Sequence, residues 1–522
     1  MKLDKKIIAF LLLTISVFSI YSKCLSYSPI GFDLGMYFIE NPYVKSGITL
    51  EGIRWAFTSF HFNWHPITWL SHMLDVNIFN YNTAGYYFSS ITFHLLSSYL
   101  LYLIISKFSK NFKFCILVAL FFAIHPLNIE PVLWFAARKD LLACFFGLIS
   151  ILIYINHIEK PKFIKILSSV IFFSLSLMSK ASFITLPLLL ILIDLYIFKV
   201  FRKSFIFNKI PYFLISFLSL LLTIKAQAQV GAIASLDTIS TFERIINSFI
   251  SYGAYIIKYL FPYKYSIFYP YRESIITLEN FISLLALIII ILLALKSYKN
   301  RKYITLCFCW FVINLFPMIG LLQIGNHSLA NRYAYISTIG IHIIICSLVL
   351  LKEKKWLFAK ALPYIYVPIF LLSSFSYSSH WKESLTIYQY SITNTNNFNP
   401  ILYSNIGYEY LQIFYKTKNK QNLVAAIEAY EISLKQNSIA TYNYKNLGDA
   451  YLHNNQPNMA IINLQKFLAY NPNNLSALNN LGIAYLQIGD KNLAEKSFKE
   501  ALRINSQYLP ALNNIEKYIK TL

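Results

Sequence analysis

The chain has 522 residues, 57% of them hydrophobic and 13% charged, with a net charge of +23. A soluble protein of this length carries roughly a quarter charged residues, so a single water-soluble globule is excluded. Lys and Arg fall in short clusters between apolar runs, which argues against a nucleic-acid surface and fits loops held on the cytoplasmic side of a membrane.

The N-terminus reads MKLDKK and then runs apolar from Ile7 to about Ile20. A cleaved signal peptide and a retained anchor both fit, but no small-x-small cleavage site follows, which favours the anchor. Residues 24–85 then form a large first loop. It contains the polar stretch HFNWHPITWLSHMLD (61–75), which holds His61, His65 and His72 together with Trp64, Trp69 and Asp75. The Trp residues read as interface anchors. Further apolar segments lie at 86–106, 114–126, 141–157, 163–178, 183–199, 210–224, 280–296, 303–322, 334–351 and 359–375, making eleven spans with the first. Alternate loops are basic: Lys107, Lys110 and Lys113; Lys160, Lys162 and Lys165; Lys199, Arg202, Lys203 and Lys209; Lys296, Lys299, Arg301 and Lys302; Lys352, Lys354, Lys355 and Lys360. The positive-inside rule places these loops and the N-terminus in the cytoplasm. Residues 247–262, interrupted by Gly253 and Lys258, break this alternation if counted as a span, so they read as a re-entrant or interfacial helix. The tail then lies on the non-cytoplasmic side.

The six Cys have no metal-ligand spacing and imply no disulfide framework. On the external side, ionisable and polar residues gather at span ends: His125, Glu130, Arg138 and Asp140; Lys180; Arg272 and Glu273; Asn331 and Arg332. Such groups at bilayer depth are costly and tend to line cavities. The mixture suits a pocket that takes a phosphate on Arg and Lys and a hydroxylated acceptor on Asp and His. Asp194, inside a span, either pairs with another buried group or serves function.

After a connector at 376–400, residues 401–522 repeat. NLGDAYL at Asn446, NLGIAYL at Asn480 and NNIEKY at Asn514 lie 34 residues apart, the tetratricopeptide period. Tyr451, Ala460, Leu464 and Phe467 match Tyr485, Ala494, Phe498 and Ala501 as interior positions. An earlier copy at Asn405 carries a seven-residue insertion around Lys416–Gln421. Three repeats and a terminal helix are predicted, with a protein or peptide as partner on the concave face. The predicted fold class is all-α: a polytopic helix bundle (1–375) followed by an α-solenoid.

The ordered segments NPYVKSGIT, NWHPITWLSHMLD, HPLNIEPVLWFAARKDLL, LMSK, IFYPY and FPMIGLLQIGNHSLANRYAY resemble bacterial tetratricopeptide-repeat membrane proteins. Those proteins are related to the eukaryotic transmembrane-and-TPR O-mannosyltransferases. The resemblance runs over nearly the whole chain and implies the GT-C glycosyltransferase architecture. It further implies an inverting transfer of sugar from a polyprenyl-phosphate donor to a protein hydroxyl on the non-cytoplasmic face of a bacterial inner membrane. Residue by residue, it makes Asp33 the general base and Arg138, Lys180 and Arg332 the donor-phosphate ligands. His65, His125, Glu130 and Asp140 take supporting roles. Acids of the family pattern are missing at Leu34, Ala137, Ala181 and Asn331. One base and a set of cations still meet the minimum for such a transfer. Some members of this architecture hold a divalent ion between acids; the missing acids argue against one here. Asp33 could otherwise stabilise its loop, and His65 could cap a helix instead of orienting phosphate or acceptor. The competing function is a non-catalytic, membrane-anchored repeat scaffold. The catalytic reading requires Arg138 to face Asp33; a guanidinium locked into an internal pair would remove its premise.

Overall fold

The computed structural model describes residues 4–61, 63–198, 207–229, 240–271, 277–299, 301–321, 325, 327–351, 356–437 and 441–518. Lys2, Lys199, Arg202, Lys203, Arg272, Glu273, Lys352, Lys354 and Lys355, read above as loop or terminal charges, lie outside them. Two compact units divide at Ile387 and Tyr388, inside the segment read as a connector.

The first unit, Met1–Ile387, is helical, and each predicted apolar segment forms a helix. Polar caps start several of them. Asn82, Asn111 and Thr277 each accept a backbone N–H at the head of Thr83–Phe108, Phe112–Ile124 and Leu278–Ser297. Six of the described helices are long and apolar enough to cross a membrane, or eight if each of two bent pairs counts as one. The sequence predicts eleven; the remaining three, Phe163–Ser179, Leu186–Ile197 and Lys302–Met318, are shorter. The bends, at 48° and 58°, fall beside His125 and Thr338. Large apolar side chains such as Phe217, Leu221, Phe281, Ile288 and Leu292 point outward, as a lipid-facing surface requires. Residues 247–262 belong to one helix, Thr241–Leu260, opened by a Ser240–Glu243 capping box. It is not among the spanning helices. Its Gly253 lies so close to the Leu278–Ser297 helix that a Cβ would sit 1.8 Å from the Ser283 carbonyl oxygen.

Two helices set the direction of the bundle. Arg138–Glu159 has 22 residues and is therefore about 33 Å long. Phe163–Ser179 returns beside it. Lys107 and Glu159 pair at 2.9 Å at one end, the end of the basic Lys160–Lys165 loop. Arg138 and Lys180 lie at the other. The first loop packs at that second end, where the Thr68 hydroxyl donates to the Ser179 carbonyl at 3.0 Å. Asp194 is settled as a pairing group: it meets Lys209 and the Tyr154 hydroxyl in a buried cluster.

The second unit, Tyr388–Leu522, contains three helix pairs, Pro400–Thr417 with Lys420–Gln436, Thr441–His453 with Pro457–Tyr470, and Leu475–Gln487 with Lys491–Ile504, and then Leu509–Tyr518. The interior positions read from the 34-residue period are all buried. The extra residues of the first copy lengthen its helices to 18 and 17 residues, against 13 and 14 in the second. Gly482 faces Phe498, and a Cβ there would lie 2.4 Å from the ring. Gly482→Val is therefore expected to destabilise the repeat by about 1–3 kcal/mol through overpacking. Hydrogen exchange of the full chain checks this: residues 475–504 should exchange faster while residues 66–79 keep their protection.

Candidate functional site

The first loop builds one wall of the site. Asn41 caps Pro42–Lys45, Thr49 caps Leu50–Thr58, and Pro66 stands at the first position of Pro66–Phe79, where its missing N–H costs nothing. The buried face of that last helix carries Trp69, His72, Met73 and Asp75. Trp69 is fully buried between Tyr37, Trp55 and His65, so it is core rather than the interface anchor the sequence suggested. Trp64 donates its indole N–H to the Phe57 carbonyl at 3.0 Å and lines a cavity.

That cavity has a volume of about 270 Å³. Asn63, Trp64 and His65 come to it from the first loop. Lys139 comes from the head of Arg138–Glu159, and Lys180 and Ala181 from the end of Phe163–Ser179. Thr223 and Gln227 come from Ile210–Gln229, and the far wall is made by Pro317, Met318, Gly320, Gly325, His327, Ser328, Arg332 and Tyr333. Three cations from three separate segments therefore face one space. Two are backed by carboxylates: Lys180 pairs with Asp140 at 2.6 Å and Arg332 with Glu130 at 2.8 Å. Both acids are buried and neither lines the cavity. Arg332 also lies over Trp134, 4.8 Å from the ring centre, which fixes its plane. Lys139 has no carboxylate within ion-pair distance among the described residues; it donates to the Tyr37 hydroxyl at 2.8 Å.

Asp33 does not line the cavity but lies close enough to Lys139 and Arg332 to feel their charges. Its backbone φ is +62°, a left-handed conformation that Asp and Asn tolerate better than most residues. The Trp134 indole N–H holds the preceding carbonyl, Phe32 O, at 2.8 Å. Its carboxylate makes no ion pair among the described residues, unlike Asp75, Asp140 and Glu130. Burial raises its pKa above the ordinary 3.8, and the charges of Lys139 and Arg332 oppose that rise. The result is a carboxylate of increased basicity close to cations that do not directly neutralise it.

Two predicted site residues lie elsewhere. Arg138 does not reach the cavity. Its guanidinium pairs with Asp75 at 2.8 Å and donates to Ser90 Oγ, Ser71 Oγ and the Tyr86 carbonyl at 3.0, 3.1 and 2.8 Å, with 1% of its side chain exposed. The physical reason is helical geometry: consecutive residues point about 100° apart, so where Arg138 faces the core, Lys139 faces the cavity. The condition set above for the catalytic reading therefore fails in the form given, with Arg138 as the donor's ligand facing Asp33, and any phosphate site must be built from other cations. His125 is also removed from the site. Its Nδ1 accepts the Leu127 N–H at 3.2 Å, and its ring stacks on Tyr259 at 4.4 Å, so it caps the turn Pro126–Asn128. Asn331, where the family pattern has an acid, is fully buried and joins Tyr269 Oη and the Ser266 carbonyl at 2.9 Å each.

His65 does line the cavity and makes no capping bond. Burial first, then the neighbouring cations led by Lys139, hold it well below 6.5, so it is neutral at pH 7. His327, bonded to the Tyr333 hydroxyl at 2.8 Å, is pushed down to about 3 by burial, Arg332 and Lys180. The sequence reading missed Lys139, Tyr37, His327 and Tyr333. The adjacency of Lys139 to Arg138 at a helix start was the available signal. Among the described residues, no three His, Cys, Asp or Glu side chains are grouped to hold a metal ion.

Comparison with known proteins adds the following. The tetratricopeptide repeat family matches residues 443–474 and 475–508. Protein O-mannosyl-transferase F38B6.6 of Caenorhabditis elegans is 24% identical over 342 residues, which cover 63% of this chain and 48% of that protein. Protein O-mannosyl-transferase TMTC1 of Mus musculus is 27% identical over 135 residues, 23% of this chain and 14% of its own. The chain thus spans about half or less of the length of these curated relatives. The crystal structure of APC/C hetero-tetramer Cut9-Hcn1 aligns over 87% of this chain and 90% of its own at a TM-score of 0.24 and 14% identity, too low to bear on the fold.

Proposed function

We propose that the chain is a membrane glycosyltransferase that moves a sugar, mannose in the first instance, from a polyprenyl-phosphate carrier to a protein hydroxyl on the non-cytoplasmic face. The repeat unit engages the acceptor or a partner protein. One observation carries the reading: Lys139, Lys180 and Arg332 converge on one cavity, and Asp33, outside its lining, lies near enough to feel Lys139 and Arg332 while making no ion pair among the described residues. The similarity to proteins named O-mannosyl-transferases supports the class of reaction.

The chemistry follows from the charges. The three cations hold the phosphodiester. Asp33 accepts the proton of the acceptor hydroxyl as that oxygen attacks the anomeric carbon, and the bond from that carbon to the phosphate oxygen breaks. The carrier leaves as a phosphomonoester. Glu130 and Asp140 keep Arg332 and Lys180 in place as positioning residues.

The purified full chain in lipid nanodiscs, given radiolabelled polyprenyl-phosphate mannose and an extracytoplasmic protein fraction, is expected to transfer label to protein. Binding of the carrier without transfer would instead favour the scaffold function. Lys139→Met should weaken polyprenyl-phosphate binding about tenfold or more. This is the scale of one charge-assisted hydrogen bond, ~1.5–3 kcal/mol. Isothermal titration against polyprenyl phosphate measures it, and unchanged affinity would remove Lys139 from the phosphate site.

A further inference from the structure

His65 offers a chemistry that the cations do not. Its ring is 2% exposed, lines the cavity, and has no hydrogen-bond partner on either nitrogen among the described residues. Two aromatic rings pack against it. Tyr37 stacks parallel to it at 5.8 Å and 3°, and Trp69 lies at 4.6 Å. These rings fix the imidazole plane and leave its edge as the part able to make new bonds. A buried polar group without a partner is costly, so in native proteins such a group usually has one. A neutral imidazole presents one N–H donor and one nitrogen acceptor, the pair of functions that a sugar hydroxyl satisfies.

We propose that His65 is the contact that reads the hydroxyls of the donor sugar, a specificity-determining role in the transfer described above and resting on that reading. A neutral ring is poorly matched to a phosphate, which has the cations available on the same cavity. His65 shares the cavity lining with Lys139 and Lys180, whose charges reach it, so it stands near the cations proposed to hold the donor. His72 is equally buried and also without partners among the described residues, yet it does not line the cavity and packs edge-on against Phe38. It therefore serves as the internal comparison.

The experiment is binding to the full chain in nanodiscs of two probes, a polyprenyl phosphate and its mannosyl phosphodiester, for wild type, His65→Ala, His65→Gln and His72→Gln. His65→Ala is expected to weaken the mannosyl lipid about tenfold or more and to leave the bare lipid phosphate unchanged. His65→Gln, which keeps a donor and an acceptor, should recover part of the loss. His72→Gln should leave both affinities unchanged. Equal loss of both lipids in both His65 variants would mean that His65 only supports the wall, and would overturn the assignment. Unchanged binding of both lipids by His65→Ala would overturn it too. Wild type binding neither lipid would instead overturn the donor reading itself, and the His65 role with it.

Discussion

Asp33→Asn is expected to lower the rate of sugar transfer by about 10²–10⁴-fold, the usual contribution of a positioned general base. The fold should survive. Asn is among the residues that tolerate the left-handed backbone at position 33, where φ is +62°. The sign of the pKa shift agrees. A carboxyl whose folded-state pKa is raised contributes a stability penalty that builds as pH rises past the unfolded value and is full above the raised one, because the unfolded chain ionises more easily. Removing the ionisable group should therefore hold or raise the melting temperature at pH 7. In wild type, the rate should fall on acidification as Asp33 takes up a proton, with a midpoint above 3.8. The residual rate of the Asn variant should lack this limb. Single-turnover transfer measured across pH, alongside thermal unfolding, distinguishes the cases. A variant that keeps the wild-type rate would exclude Asp33 as the base.

Arg138→Met is expected to cost about 3–5 kcal/mol of stability, because it leaves the Asp75 charge buried without its partner. Among the described residues, Asp75 would retain only the Ser89 hydroxyl, at 2.7 Å. The double variant Arg138→Met with Asp75→Asn leaves no solitary charge and should recover most of the loss. It should also bind polyprenyl phosphate like wild type, since neither side chain lines the cavity. Expression level, thermal unfolding and lipid binding of the single and double variants make the comparison. A double variant that folds well but no longer binds the lipid phosphate would return Arg138 to the site.

The contrast between Arg138 and Lys139 shows where sequence reasoning reached and where it stopped. The sequence placed a cationic group at the head of this helix, and one reaches the cavity there. It could not say which of two adjacent cations faced the core, because that depends on a rotation fixed by Asp75, Ser71 and Ser90, on two earlier helices and 48 to 67 residues away in the chain. Lys180 and Arg332 were legible because each stands beside a turn at a helix end, and the structure brings both to the cavity. His125 was misassigned because a His before Pro serves equally as ligand or cap, and only the Leu127 N–H decides between them. The repeats were the most legible part, since a fixed period and buried Ala and Phe positions are local properties. The predicted spans 163–178, 183–199 and 303–322 fall on apolar helices of 10–17 residues, which length and composition alone do not count as crossing a membrane.

The backing of Lys180 and Arg332 by buried acids bears on what happens after transfer. On the proposed reading, the donor arrives as a monoanion while Asp33 is ionised; the carrier departs as a dianion while Asp33 is protonated. The total charge in the chamber is the same before and after, so the step moves a negative charge from carboxyl to phosphate and does not create one. Once Asp33 gives its proton to water, the carboxylate faces a dianion where it faced a monoanion before, and the stronger repulsion favours release of the spent carrier.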